Sequence, residues 1–187
     1  MKRIFQKLFS KLWFLGLVTL ILFPLAAWPV LYFQDKSFWN LFRIEGNDWQ
    51  TLPAYTAYGI MFALLIIWFT EHPFFERSMN RYKNILSQFK LNYAYALFLA
   101  ICAGVGEEVF FRGAIQPLIG ILLTAIIFVA IHGYFSFKVW KVNLFAVGLI
   151  AFITLIGYGA EKYSLWHAIL PHFSYDFVLL VYAIKKQ

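Results

Sequence analysis

Long apolar stretches separated by short polar segments dominate the chain. Residues 12–34 carry no charge, and a second charge-free run covers residues 49–70. A transmembrane helix needs about 20 consecutive apolar residues, so both runs predict helices that cross a bilayer. Further spans are predicted from about residue 91, after Pro117, over about 142–158 and over about 164–184. The pattern therefore predicts an all-α, polytopic transmembrane helical bundle with about six spans.

The first ninety residues carry two polar, basic segments. The start, MKRIFQKLFSKLW, resembles the charged region of a signal peptide. The apolar run behind it is longer than the 7–15 residues usual there, so we expect an uncleaved anchor. Residues 71–90 mix basic and Phe residues, which is typical of an interfacial segment. We divide one structural domain into residues 1–90, with two spans and this segment, and residues 91–187, a helical core.

Composition excludes most soluble folds. The chain is 62% hydrophobic and only 13% charged, whereas soluble domains have about 25% charged residues. The net charge of +7 does not predict nucleic-acid binding, because the basic residues fall between apolar stretches and form no basic face. With a single cysteine, Cys102, no intramolecular disulfide and no cysteine-based metal site are expected.

The distribution of lysine and arginine predicts a topology. Basic residues near span ends are retained in the cytoplasm. Six spans place both termini on one side, and with that side inside, twelve of the sixteen basic residues are cytoplasmic. We therefore predict a multi-pass integral membrane protein with both termini in the cytoplasm.

The segment GEEVFFRG places charges inside an apolar stretch. Each charge at a helix centre costs about 2.5–3.5 kcal/mol on the insertion scale, so these side chains should pair and face inward. Residues four apart share a helix face, so Glu108 and Arg112 form an ion pair that supports the site. Glu107 points elsewhere and has no adjacent cation. A poorly solvated carboxylate of this kind is a candidate general base.

Two histidines are predicted to reach the same pocket. His132 ends the fourth span and His172 lies in the sixth, where it shares a helix face with Asp176. Each assignment has a structural alternative: the ion pair can serve packing alone, Glu107 can extend to the membrane surface, His132 can be interfacial, and the His172–Asp176 pair can be a packing hydrogen bond. Three separate clusters of ionisable groups in one apolar chain favour function.

Two other histidines are interpreted as interfacial. They are His72, beside Pro73, and His167, five residues before His172. Neither belongs to the predicted pocket.

Three short motifs carry a resemblance. EEVFFR at 107–112 matches EExxxR, FVAIH at 128–132 matches FxxxH, and HFSYD at 172–176 matches HxxxN/D. In this order they resemble the CPBP family of intramembrane endopeptidases, which includes the CAAX prenyl protease 2 type and bacterial bacteriocin-processing and immunity-associated relatives. The resemblance covers about residues 91–184, so residues 91–187 are interpreted as a CPBP-like catalytic core.

The resemblance implies a mechanism in which a glutamate activates water. Glu107 and His132 would activate the water, His172 and Asp176 would hold the oxyanion, and Glu108 and Arg112 would shape the site. One position departs from the family, because residue 176 is Asp where the best-understood members have Asn. An ionised Asp only accepts hydrogen bonds, so Asp176 is either protonated in its apolar setting or orients His172. We expect the second, which leaves His172 as the main donor.

The predicted function is endoproteolysis of a peptide or protein in or at the membrane, without a cofactor. Two alternatives stay open: a non-catalytic membrane scaffold or bacteriocin-immunity factor of the same family, and an ion or proton transporter. Two histidines and a glutamate would also suit a catalytic zinc ion. The lipid bilayer and a peptide substrate are the predicted partners, and nucleic acid is not.

The predicted spans contain a geometric conflict. If the third span begins near residue 91, Glu107 lies roughly 24 Å along it, near the outer face. His132 then ends the return span near the inner face. The two side chains meet only if the third helix starts deeper or continues past Arg112 towards Pro117, with a water-filled cavity between spans.

Overall fold

The computed structural model describes residues 2–75 and 91–187, with side chains from Leu12 onward. Every regular element in these ranges is helical, which confirms the all-α prediction. The elements are α1 (Lys2–Phe33), 3₁₀ turns at Phe38–Phe42 and Asp48–Thr51, α2 (Leu52–Glu71), α3 (Tyr93–Glu108), a π-helical segment (Val109–Ile115), α4 (Gln116–Ile119), α5 (Ile121–Ile131), α6 (Trp140–Lys162) and α7 (Trp166–Lys185).

Five helical stretches in the described ranges are long and apolar enough to cross a membrane. They are Leu12–Phe33, Asp48–Glu71, Tyr93–Ile119, Trp140–Lys162 and Trp166–Lys185. The polytopic bundle is thereby confirmed, but the predicted fourth span differs. Its helix, α5, has 11 residues and a length of about 16 Å, roughly half of the hydrocarbon core.

The chain nevertheless returns to the face from which α3 starts. Lys141, at the start of α6, donates a 2.7 Å hydrogen bond to the carbonyl of Phe74, just beyond the end of α2. Lys186, after α7, lies 3.5 Å from the Glu71 carboxylate at the end of α2. Since α5 is short, the non-helical residues 132–139 complete the return. The cytoplasmic orientation of the termini stays a prediction.

Glycines allow α2 to pack closely against α7, and α3 to pack closely against α1. A β-carbon at Gly59 in α2 would overlap the Pro171 carbonyl of α7, and one at Gly106 in α3 would overlap the Thr19 carbonyl of α1. Only a residue without a side chain allows such approach between helix backbones. Because Gly106 directly precedes Glu107, its contact with α1 fixes the position of the first acid.

Replacing Gly106 with alanine is expected to lower the free energy of unfolding by about 1–3 kcal/mol, the usual cost of forced overpacking. The matched control is Gly148→Ala in α6, where the added methyl group reaches only the tip of the Phe62 ring, at 4.0 Å. Alanine is the better helix former, so that variant should be unchanged or more stable. Thermal unfolding in detergent measures both, and equal shifts would contradict the close α1–α3 contact.

Candidate active site

Gly120 sets the depth at which two of the predicted site residues meet. It joins α4 to α5 with φ +83°, a conformation that residues with a side chain rarely adopt. Glu107 precedes it by 13 residues and His132 follows it by 12. The chain runs from Glu107 to Gly120 and back to His132 over nearly equal numbers of residues. Glu107 and His132 therefore lie at a similar depth in the bundle. The helix does continue past Arg112, as the sequence argument required.

A π-helical segment follows the acidic pair directly. It covers Val109–Ile115 and includes Arg112. π-Helical turns are rare and occur often at functional sites. One backbone carbonyl of this segment is satisfied from another element, because Gln34 Nε2, just after α1, donates a 2.9 Å hydrogen bond to the oxygen of Ala114. The segment is therefore tied to the end of α1.

Glu108 and Arg112 form the predicted ion pair. Arg112 Nε lies 2.9 Å from Glu108 Oε2, and both side chains are fully buried. The contact lacks hydrogen-bond alignment, and Nη1 and Nη2 have no hydrogen-bond partner among the described residues. The guanidinium carbon lies 4.7 Å from the centroid of the Phe128 ring, a cation–π distance. Charge and aromatic contact therefore hold Arg112 inside the bundle.

Glu108 also holds His172, a contact that the sequence analysis missed. Its Oε1 lies 2.6 Å from His172 Nδ1. Because an ionised carboxylate only accepts, Nδ1 donates. This bond joins α3 to α7 and turns Nε2 of His172 towards the other carboxylates. The two residues lie 64 positions apart, so no local pattern could have indicated the pair.

Nε2 of His172 faces Glu107 and Asp176. It lies 3.4 Å from Asp176 Oδ2, which follows at i+4 as predicted, and 3.9 Å from Glu107 Oε2. His172 is almost fully buried, whereas Asp176 keeps a quarter of its side chain exposed. Three carboxylates thus surround one imidazole.

His132 approaches Glu107 from the end of α5. Its Nδ1 lies 2.7 Å from the carbonyl oxygen of Phe128, and since a carbonyl only accepts, Nδ1 carries the proton. In the neutral ring Nε2 is then an acceptor. Nε2 lies 3.6 Å from Glu107 Oε2, which is too long for a direct hydrogen bond. Glu107 therefore faces ring nitrogens from two other helices.

A cavity of about 470 Å³ lies between α1, α3 and α7, and Asp176 is the site residue that lines it. Its walls are mostly apolar, with Asp176 and Tyr134 among the polar exceptions. The lining residues are Leu12, Leu15, Gly16, Thr19, Leu91, Leu99, Cys102, Ala103, Tyr134, Asp176, Leu179 and Leu180. We refer to this space as the α1–α7 cavity.

The interpretation of His167 as interfacial is wrong, because the residue is fully buried. Its Nε2 lies 2.8 Å from Thr51 Oγ1 and its Nδ1 lies 3.1 Å from Ser164 Oγ. These contacts join the start of α7 to the 3₁₀ turn before α2. His72, in contrast, is exposed at the end of α2.

The described residues contain no ligand set for the zinc ion that was considered as an alternative. No three His, Cys, Asp or Glu side chains there are grouped so that they could hold a metal ion. We therefore derive no chemical step through a metal.

Comparison with known proteins adds a finding about the second half of the chain. Residues 89–178 match the family described as Rce1-like, type II CAAX prenyl endopeptidase. The uncharacterized protein YpbD of Bacillus subtilis (strain 168) is 30% identical over 122 residues, which cover 60% of this chain and 59% of YpbD. The match thus spans about three fifths of that relative. No solved structure matches the chain significantly.

Proposed function

We propose that this integral membrane protein, whose residues 89–178 match the Rce1-like family of type II CAAX prenyl endopeptidases, is an intramembrane endopeptidase. It hydrolyses a peptide bond of a membrane-associated substrate with a water activated by Glu107 and His132. The observation that carries the proposal is the position of Glu107, which faces Nε2 of His132 at 3.6 Å and Nε2 of His172 at 3.9 Å.

Glu107 and neutral His132 together favour a nucleophilic water. Both present acceptor atoms, so they do not bond each other directly, but one water can donate a proton to each. Its lone pair then points away from both side chains. In the neutral imidazole, the bond from His132 Nδ1 to the Phe128 carbonyl places the proton on Nδ1 and leaves Nε2 as the acceptor. A water held in this way is oriented for attack before the substrate arrives.

Hydrolysis then proceeds in two steps. The water oxygen bonds to the carbonyl carbon, the water proton moves to the Glu107 carboxylate, and the π electrons of the C=O bond move to oxygen. When the tetrahedral intermediate collapses, the C–N bond breaks and Glu107 returns the proton to the amine nitrogen. The products are a carboxylic acid and an amine, and the carboxylate of Glu107 is regenerated.

His172 stabilises the developing negative charge. Its Nδ1–H is committed to Glu108, so donation from Nε2 requires the doubly protonated imidazolium. Glu108 and Asp176 are the counter-ions of that cation, at 2.6 and 3.4 Å. A donor aimed at an oxyanion is among the largest contributions to hydrolytic catalysis.

Replacing His132 with glutamine is expected to remove the protease's products from the membrane fraction. Quantitative mass spectrometry of new peptide termini should find cleavages with the wild-type protein that fall about 10²-fold or more in the variant, in line with the loss of an acid–base group. The matched control is His72→Gln, at an exposed histidine outside the site, which should cleave as the wild type does. Identical termini with and without the wild-type protein would contradict the proposal and favour a non-catalytic scaffold.

A further inference from the structure

The segment between α5 and α6 carries unpaired backbone groups close to the site. At residues 134–136 the chain is neither helical nor bent. We propose that this segment is a strand-like edge on which the substrate peptide pairs through its main chain, extended, with its scissile bond about three residues from the pairing. This inference rests on the proposed function and assigns substrate binding to residues outside the three sequence motifs.

The contacts of Asn143, in α6, show that Ser136 is extended. The amide of Ser136 donates to Asn143 Oδ1 at 2.8 Å, and Asn143 Nδ2 donates to the Ser136 carbonyl oxygen at 3.0 Å. One side-chain amide reaches both groups only when they point to the same side, as in a β-strand, where paired residues exchange both bonds. The Asn143 side chain thus occupies one edge of this short strand, as a neighbouring strand would.

The peptide groups on either side of Ser136 form the opposite edge. In a trans peptide unit the C=O and N–H groups point in opposite directions, and the described ranges contain no cis bond. Because the Ser136 N–H points at Asn143, the Phe135 carbonyl points away from it. The Phe137 N–H points away from Asn143 for the same reason. Among the described residues, neither of these two groups has a hydrogen-bond partner.

An unpaired edge at this depth needs a partner. Helix α5 is about 16 Å long and the residues after it complete the return, so the edge lies between the centre of the bilayer and one face. Backbone groups at that depth are not left facing lipid. An extended peptide adds to such an edge through main-chain hydrogen bonds. Pairing gives the Phe135 carbonyl a donor and the Phe137 N–H an acceptor.

The edge lies within reach of the proposed catalytic groups. Phe135 follows His132 by three residues, which separates them by about 10 Å in an extended chain. The ring of Tyr134 lies nearly parallel to that of His132, with centroids 6.2 Å apart, and Tyr134 lines the α1–α7 cavity. No residue of α6, all of which the structure describes, lines that cavity, so the segment runs between α6 and the cavity. A peptide paired at residues 135–137 therefore continues towards the water between Glu107 and His132.

The substitution Phe137→Pro tests the pairing. Proline has no N–H, and Ser136 already has the extended conformation required before a proline. The reference is Phe137→Ala, which also removes the exposed ring but keeps the N–H. With the peptide identified from the new termini, KM should be about three- to tenfold higher in the proline variant than in the alanine variant, as for one lost hydrogen bond. The two kcat values should agree within about twofold, because the contact forms before the chemical step.

Ser37→Pro is the matched control for introducing a proline. Ser37 lies in the loop after α1 and has a φ of −75°, which already suits proline. Its N–H has no hydrogen-bond partner among the residues that the structure describes. This variant should have the KM of the wild-type protein.

A series of substrate peptides tests the same pairing without changing the protein. In each peptide, one amide within about six residues of the scissile bond is N-methylated, which removes a donor that the edge can use. The pairing predicts a position about three residues from the scissile bond where methylation raises KM at least about threefold and leaves kcat unchanged.

The outcomes separate this inference from the proposed function. A wild-type protein that cleaves no peptide overturns both. With an active wild type, the pairing alone is overturned by equal KM values in Phe137→Pro and Phe137→Ala, by a loss confined to kcat, or by a methylation series without a KM effect away from the scissile bond. If the proline variant does not fold, the methylation series decides by itself. A higher KM in both measurements supports the pairing.

Discussion

Replacing Glu107 with glutamine is expected to reduce kcat/KM for peptide hydrolysis by at least about 10³-fold and to leave the fold intact. Removing a general base commonly costs about 10²–10⁴-fold, and here the same carboxylate also returns the proton to the leaving amine. Glutamine preserves the shape of the side chain but cannot take a proton from water. The contacts with Nε2 of His132 and His172 are longer than hydrogen bonds, so little stability depends on them.

The measurement is cleavage of a peptide identified from the new termini, with purified protein in detergent and in liposomes. Glu45→Gln is the matched control, because Glu45 is an exposed carboxylate paired with exposed Arg43, and it should retain full activity. If Glu107→Gln keeps the cellular phenotype of the wild type, a scaffold or immunity factor is the better interpretation. Ion flux in proteoliposomes that stops in the same variant would favour a transporter.

The contacts within single helices could be predicted from the sequence. Glu108 with Arg112 and His172 with Asp176 each follow from a spacing of four residues, and the structure places both pairs in contact. Burial of the charges follows from the cost of exposing them to lipid. The assignment of catalytic roles to these residues stays a prediction that activity measurements must test.

Contacts between helices could not be predicted in the same way. The bond between Glu108 and His172 joins positions 64 residues apart, and helical periodicity describes only near neighbours. The half-length helix α5 was missed because Gly120, with φ +83°, interrupts the apolar run that begins after Pro117, so that α5 covers only Ile121–Ile131.

The buried Glu108–Arg112 pair should behave as a unit in stability measurements. Arg112→Met leaves Glu108 charged in the core without its 2.9 Å partner, and Glu108→Gln leaves Arg112 charged there without the carboxylate beside it. Each single change is expected to lower the free energy of unfolding by about 3–5 kcal/mol, whereas removing both charges of a buried pair is often neutral or stabilising. The double variant Glu108→Gln/Arg112→Met should therefore unfold close to the wild-type temperature.

Activity measurements on the same three variants distinguish a structural role of the ion pair from a direct role in catalysis. The glutamine amide oxygen can still accept from His172 Nδ1, so the double variant should recover part of the activity that the single variants lose. A stable, folded Arg112→Met protein without activity would instead place the guanidinium in contact with the substrate.

The matched control for the stability measurements is the exposed pair Glu71 and Lys186. The corresponding changes there should leave the free energy of unfolding unaltered, because exposed ion pairs contribute little. Additive losses in the buried pair would show that the two charges are not coupled, against the 2.9 Å contact between them.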